Sequence, residues 1–335
     1  MKKIFLLKIL PCIISIGILV YFCIENNNFM TLIDIFPKLN ILYLLLSIVS
    51  IAVYWISDSM IIKGLLPEFS KSILDYIMLT MYGQFYGAIT PFASGGQASQ
   101  LYILNSSNVD TGKSVVALSQ KFFISQLCTI IVSSLSIIFK TDKFGSEIPG
   151  FTFITLVGLS IQCSGIVSLV LCYINKKKLM NLLKIIFNFL EKIKIIKNSK
   201  DIHSKVENKL VFLMENSFSV NCGPKVYLLC LIQNISFCMV SFFVSKSFGC
   251  QGFPVLDFIA AQTFANLISI VNPLPGSAGT AEGSFLFLYK DFFSKQNLPS
   301  AMILFRLINY YLGMIVGFFV VISNKKFRNK RSFQL

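Results

Sequence analysis

The chain has 335 residues, of which 55% are hydrophobic and only 13% are charged, and its mean hydropathy is +0.72. A soluble globular domain carries about 25% charged residues, so this composition excludes a disordered chain, a fibrous repeat and an ordinary soluble enzyme. It predicts an all-α polytopic membrane protein with one integral membrane domain over residues 1–335. The net charge of +15 is high for a chain with so few charges.

Six apolar segments are long enough to cross a bilayer as helices, because a hydrocarbon core of about 30 Å needs roughly 20 apolar residues. They are residues 4–24, 41–62, 115–139, 151–174, 226–244 and 301–322. The first of them is too long for a cleaved signal peptide and lacks a cleavage site with small residues. The sequence therefore predicts six full spans.

Two further apolar segments, residues 73–90 and 258–271, end in breaks rich in proline and glycine. The break residues are Pro91, Gly95 and Gly96 in the first, and Asn272, Pro273, Pro275, Gly276 and Gly279 in the second. Broken helices are tolerated at membrane depth only where the backbone faces protein or water. Each segment therefore either crosses the membrane and ends in a loop, or turns back as a re-entrant hairpin.

The distribution of lysine favours re-entrant hairpins. Residues 175–224 carry ten lysines and four acids. With an internal N-terminus, this stretch is cytoplasmic if both broken segments are re-entrant and external if they are full spans, and the positive-inside rule favours the former. The expected topology has six full spans, two re-entrant hairpins and both termini in the cytoplasm. Eight plain spans are the alternative.

The two broken segments also match each other in sequence at an offset of 182 residues. The matches are Leu74 with Leu256, Asp75 with Asp257, Pro91 with Pro273, and Gln100 with Glu282. In the expected topology the two hairpins enter from opposite sides. Residues 41–140 and 225–323 would then form an inverted repeat with broken helices near the midplane, as in many transporters. Chance similarity of two apolar helices is the alternative.

The basic stretch between the halves has apolar residues at helical spacing, with lysines between them, over residues 176–197. This pattern predicts an amphipathic helix on the inner membrane surface, attracted to anionic lipid, rather than a nucleic-acid contact. The other parts of the domain are an N-terminal span and loop (1–40), a linking span (151–174), the basic loop (175–224) and a basic tail (324–335).

Charged side chains within the spans are candidates for binding, because a charge at the bilayer centre costs about 2.5–3.5 kcal/mol. Lys121 and Arg306 lie several residues inside equivalent helices of the two halves, where two cations suit a lipid phosphate. Glu282 would balance one cation or bind an aminoacyl ammonium. A structural pair of Glu282 with Arg306 is the alternative. The polar residues at the breaks complete the predicted headgroup site: Gln97, Gln100 and Asn272.

Three acids near the ends of apolar segments have simpler interpretations. Asp75 and Asp257 begin their segments, where an acid favours the helix dipole. Asp58 lies near one end of its span and either reaches the interface or is functional. The nine cysteines form no C-x-x-C pair and the single histidine, His203, lies apart from other metal ligands. No metal or cofactor is therefore expected.

The first break, Pro91-x-x-x-Gly95-Gly96, and the second, Asn272-Pro273-Leu274-Pro275-Gly276-x-x-Gly279-x-x-Glu282, together resemble a known family. It is the flippase-like transmembrane domain of the lysylphosphatidylglycerol synthases, the multiple peptide resistance factors, which also occurs alone in bacterial and archaeal membrane proteins. The resemblance covers nearly the whole chain. It implies a plasma-membrane protein that moves an aminoacylated or otherwise modified anionic phospholipid between leaflets. Family members often carry Glu and Arg after the paired glycines, where this sequence has Gln97 and Gln100.

Two other functions stay open. The family's synthases have a soluble domain that transfers lysine to phosphatidylglycerol, and a chain that ends at Leu335 is expected to lack it. A phosphatidylglycerol lysyltransferase activity of the membrane domain itself would need Asp58 or Glu282 as its acid or base. The chain would otherwise be a non-catalytic partner of a separate synthase or glycosyltransferase. The oligomeric state is not predicted.

Overall fold

The computed structural model describes residues 33–145, 150–174 and 223–323, together with Gly17. Within these residues the regular structure is helical and contains no strand. The expected first span (residues 4–24), the basic tail (324–335) and nearly all of the basic loop (175–224) lie outside the described residues.

The helices are numbered here in chain order. They are α1 Ile41–Leu65, α2 Ile73–Ala88, α3 Ser94–Ser106, α4 Thr111–Gly145, α5 Phe151–Ile174, α6 Pro224–Ser247, α7 Val255–Ser269, α8 Thr280–Leu288 and α9 Leu298–Ser323. The two breaks form short 3-10 turns, Pro91–Ala93 and Pro275–Ser277. Helix α9 contains a π-helical turn at Leu307–Tyr311.

Four helices in the described part of the chain, α1, α4, α6 and α9, are long and apolar enough to cross a membrane. They contain four of the six expected spans. The linking span is also a helix, α5, of 24 residues, whose apolar part with described side chains is Phe151–Val167. The prediction of an all-helical chain is therefore confirmed for this part of the protein, which has four helices long and apolar enough to be membrane spans.

Helices α1 and α6 form a central pair that runs antiparallel over its whole length. At one end the Asn40 N–H donates to the Ser247 carbonyl at 3.0 Å. In the middle the rings of Tyr54 and Phe237 lie 5.6 Å apart. The side chain of Asn40 also caps α1 by accepting from the Leu42 N–H, which satisfies a backbone donor that the helix leaves free.

Helices α2 and α3 form the first hairpin, residues 73–106. They run antiparallel, since Gly96 near the start of α3 lies against Gly87 near the end of α2, whereas Gln100 further along α3 donates to the Leu79 carbonyl in the middle of α2. The chain reverses at Phe92 and Ala93, whose φ angles are 52° and 53°. The helices pack closely enough that a Cβ on Gly96 would lie 3.0 Å from a backbone oxygen of α2.

Helices α7 and α8 form the second hairpin, residues 255–288. They are also antiparallel, since the Tyr289 hydroxyl just after α8 donates to Gln262 of α7 at 3.2 Å. The reversal uses Gly276, with a φ of 60°, which glycine adopts without steric cost. The Asn272 amide closes the break by donating to the Ala278 carbonyl at 2.9 Å.

The two hairpins begin at opposite ends of α4. Before the first hairpin, Glu68 pairs at 2.9 Å with Lys113 in the first turn of α4. At the start of the second hairpin, Asp257 pairs at 2.8 Å with Lys140 near the end of α4. Lys113 and Lys140 are 27 residues apart in this helix, so the two ion pairs are separated by about 40 Å along it.

The tips of the two hairpins meet. The turns Pro91–Ala93 and Pro275–Ser277 contact each other, and the Tyr310 hydroxyl of α9 donates to the Ala88 carbonyl at 2.7 Å. Each hairpin has its own apolar core, one around Tyr76 and the other rich in phenylalanine around Phe258. The polar tips are thereby held between two apolar clusters.

Candidate functional site

A cavity of about 580 Å³ lies where the hairpin tips meet α1, α4, α6 and α9. Its volume falls within the range of about 300–1,000 Å³ found for small-molecule sites. A larger pocket of about 1340 Å³ lies elsewhere, beside Asn40 and Ser247 at one end of the central pair. It contains none of the predicted site residues, so the cavity at the tips is the candidate site.

An ion pair links α1 to α4 in the cavity wall. Lys121 Nζ lies 2.7 Å from Asp58 Oδ2, and Asp58 is only 4% exposed. The Gln233 amide donates to Asp58 Oδ1 at 2.8 Å, and the Thr80 hydroxyl donates to Oδ2 at 3.1 Å. Both carboxylate oxygens of Asp58 are therefore engaged, and together they accept from three donors.

A second ion pair fixes the second hairpin. Arg306 Nε lies 2.8 Å from Glu282 Oε1, with side chains 5% and 0% exposed. The other Glu282 oxygen accepts from the Gly279 N–H at 2.7 Å, which caps the start of α8. Arg306 also donates to the Gly276 carbonyl at 3.1 Å and stacks 4.7 Å from the Tyr310 ring. The structural pair that the sequence left open is thus present.

The structure brings together four of the six predicted headgroup residues. Those that line the cavity are Gln97, Gln100, Lys121 and Arg306. Glu282 lies behind Arg306, fully buried, and Asn272 closes the second break instead of facing the cavity. Of the break residues, Gly96 and Gly276 line the cavity, whereas Pro91, Gly95, Pro273, Pro275 and Gly279 do not. Headgroup binding by these residues stays a prediction.

The environment of Asp58 in the cavity wall differs from the one that the sequence suggests. Its position near one end of a span left contact with the interface as one interpretation, but the structure buries it against Lys121, which lies 63 residues away along the chain. That pairing has no signal in a single sequence. Several carboxamides of the cavity, such as Gln233 and Asn309, were also missed. Their one signal is a polar side chain within an apolar span.

The arrangement favours binding over catalysis. Both buried acids next to the cavity, Asp58 and Glu282, are held by cations, and acid–base chemistry would first require these pairs to open. Lys121 has three N–H donors and uses one on Asp58, which leaves donors for an anion. Among the described residues no group of three His, Cys, Asp or Glu side chains could hold a metal ion.

The Gly276→Ala variant is expected to lose about 2–4 kcal/mol of the free energy of unfolding. A Cβ at this position would lie 2.4 Å from the Tyr310 ring, and the φ of +60° strains any other residue. Thermal unfolding of the purified protein measures the loss. Gly283→Ala is the matched control, because no atom lies within 4 Å of its Cβ position. Equal stability of the two variants would contradict the tight packing at the tip.

Comparison with known proteins gives two similarities. A family model described as "Lysylphosphatidylglycerol synthase TM region" matches residues 8–317. A "UPF0104 membrane protein" from Archaeoglobus fulgidus is 24% identical over 254 residues, which cover 73% of this chain and 75% of that protein. The family match includes both hairpins and every residue of the cavity wall.

Proposed function

Because the chain belongs to the family of lysylphosphatidylglycerol synthase transmembrane regions, we propose that it binds an anionic phospholipid and moves it between membrane leaflets. The lipid is aminoacylated or otherwise modified, and its headgroup occupies the central cavity. The chain is a membrane protein of this family with several apolar helices. In the proposal it lies in the plasma membrane with both termini in the cytoplasm.

The proposal includes an inverted repeat of residues 41–140 and 225–323. The equivalent helices α1 and α6 run antiparallel, as two halves of opposite orientation require. The packing between halves is also exchanged. Helix α2 packs on α9 through Phe85 and Phe318, and its counterpart α7 packs on α4 through Phe264 and Phe144. These reciprocal contacts support a repeat over a chance similarity of apolar helices.

In this arrangement both hairpins are re-entrant. Helices α2 and α7 have 16 and 15 residues, which span about 22–24 Å, less than the roughly 30 Å of a hydrocarbon core. Each hairpin enters and leaves at one end of the bundle, and the tips meet inside it. Non-helical backbone at this depth would border the cavity, which is where it is tolerated.

The observation that carries the proposal is the convergence of two cations on one cavity. Lys121 and Arg306 come from the helices that follow the two hairpins, and both line the same space. A phosphate attracts such a pair, and a headgroup that binds between two inverted halves is accessible from either side as the halves rock. A separately encoded synthase or glycosyltransferase would supply the lipid.

The Gln97→Trp variant is expected to slow lipid translocation about tenfold or more, because Gln97 is exposed on α3 and an indole would fill part of the cavity. The assay uses the full chain in vesicles with acyl-labelled lysylphosphatidylglycerol or phosphatidylglycerol and a membrane-impermeant quencher, with and without an imposed membrane potential. Wild-type protein should exceed protein-free vesicles. Ala98→Trp, at the next exposed position but outside the cavity wall, is the control.

Two results would count against the proposal. One is wild-type protein that moves lipid no faster than empty vesicles under either condition. The other is Gln97→Trp translocation at the wild-type rate while the variant is folded, as judged by its thermal unfolding. Slow translocation by Ala98→Trp as well would assign the effect to general damage of α3 and not to the cavity.

A further inference from the structure

We propose that the central cavity recognises a hydroxyl-rich phospholipid headgroup, a polyol or a sugar, rather than an aminoacyl ammonium. This inference rests on the proposed function, since it places a lipid headgroup in the cavity, and it narrows the class of lipid. It follows from the polar groups that face the cavity and from which of them already have partners.

Carboxamides dominate the polar wall of the cavity. They are Gln84, Gln97, Gln100, Gln233, Asn234, Gln262, Asn266 and Asn309. A carboxamide offers two N–H donors and an acceptor oxygen, which complements a hydroxyl group that both donates and accepts. Charged side chains on the same wall are fewer: Asp58, Lys121 and Arg306. Several carboxamides already bond within the protein, and Asn234 and Gln262 do so through both of their polar groups. The carboxamide groups that are left suit the hydroxyl groups of a ligand.

Three buried oxygen atoms on this wall have no hydrogen-bond partner among the described residues. They are Asn309 Oδ1, Ser269 Oγ and Gln233 Oε1. Buried polar atoms are nearly always hydrogen-bonded. These atoms are buried beside the cavity, so a ligand hydroxyl would reach them once the side chains rotate toward it. The Tyr54 hydroxyl lies near Gln233, which makes Asn309 and Ser269 the firmer indications. Asn309 lies in the π-helical turn of α9, a local geometry frequent at functional sites.

An aminoacyl ammonium has no free counter-charge in this cavity. Asp58 is the one carboxylate among the described lining residues, and its oxygens already accept from Lys121, Gln233 and Thr80. The Glu282 carboxylate is buried behind Arg306. The charges of Lys121 and Arg306 are balanced by Asp58 and Glu282, so an ammonium group would meet no net negative charge in the cavity.

The same cations suit the phosphate of the lipid. The free donors of Lys121 and Arg306 would bind its oxygens, while the hydroxyls of the headgroup reach the carboxamides. The expected ligands are phospholipids such as phosphatidylinositol or phosphatidylglycerol. Phosphatidic acid has the phosphate without hydroxyls, and phosphatidylethanolamine has an ammonium in their place. These four lipids separate the two kinds of recognition.

The test measures the apparent dissociation constants of acyl-matched lipids for the purified full chain in neutral detergent. Phosphatidylinositol and phosphatidylglycerol are expected to bind about tenfold more tightly than phosphatidic acid, phosphatidylethanolamine and lysylphosphatidylglycerol, the equivalent of one or two hydrogen bonds. Asn309→Leu should weaken the first two about tenfold and leave phosphatidic acid unchanged. Gln162→Leu is the control, since this carboxamide is 5% exposed but lies on α5 outside the cavity.

Binding of phosphatidylethanolamine or lysylphosphatidylglycerol by the wild-type chain as tightly as phosphatidylinositol would overturn the inference, and this comparison depends on no variant. A uniform loss in Asn309→Leu across all lipids would overturn the role of Asn309 as a hydroxyl acceptor. Selective binding without any translocation would leave the inference standing and refute the proposed function. If the wild-type chain translocates lipid, Gln97→Trp blocks this, and binding shows no preference for lipids with hydroxyl groups, then the proposed function stands and the inference is refuted.

Discussion

The Glu282→Gln variant is expected to lose about 3–5 kcal/mol of the free energy of unfolding, because it leaves the Arg306 guanidinium buried without a counter-charge. Glu282 is completely buried and Arg306 nearly so. Gln keeps the shape of the side chain and an oxygen that can accept from the Gly279 N–H, so the change isolates the charge. Unfolding of the purified protein in detergent measures the loss.

Glu68→Gln is the matched control for this prediction. Its partner Lys113 lies at a similar distance, 2.9 Å, but the two side chains are 45% and 58% exposed. Exposed ion pairs contribute little to stability, so this variant is expected to unfold nearly as the wild type does. The prediction fails if the two variants lose equal stability, since burial would then not decide the strength of the Glu282–Arg306 pair.

The Asp58→Asn variant is expected to lose stability of the same order, about 3–5 kcal/mol, because Lys121 would remain inside the protein without its carboxylate. The double variant Asp58→Asn with Lys121→Gln should regain most of this loss, since replacing both members of a buried pair is often close to neutral. It should nevertheless fail to translocate lipid, because one of the two cavity cations is gone.

A double-mutant cycle over the two positions measures the coupling between them. Lys113→Gln, an exposed change on the same helix α4, controls for a general effect of removing lysine. A folded double variant that translocates lipid at the wild-type rate would limit the Asp58–Lys121 pair to a structural role. If the double variant is less stable than Asp58→Asn, the contribution of Asp58 to stability does not come from its pair with Lys121.

Hydropathy and length were sufficient to predict much of the fold. The spans expected at residues 41–62 and 226–244 fall inside α1 and α6, because about 20 apolar residues have few other stable locations. The breaks were predictable for a local reason as well. Pro91 and Gly276 each lie in a short turn between two helices, since proline and glycine disfavour helix continuation.

The limits of prediction lie in contacts between distant segments. Helix α4 continues to Gly145, six residues beyond the expected end at residue 139. Its last turns carry Lys140 and Lys143, which both pair with Asp257 at the start of the second hairpin. Asp257 was expected simply to favour its own helix dipole. Apolar periodicity describes one helix at a time, so it carries no information on which helix will supply the partner of a charge.

The exchanged packing of the two hairpins has a consequence for how such a chain could arise. Helix α2 packs on α9 and α7 packs on α4. A protein that corresponds to one half could therefore make the same contacts only with a second copy of itself inserted in the membrane in the opposite orientation. A half-length ancestor would then have to insert both ways, which requires loops without a lysine bias. Fusion of two copies removes that requirement. With the proposed inverted repeat, a single chain would be free to acquire a strongly basic connector such as residues 175–224, which carry ten lysines.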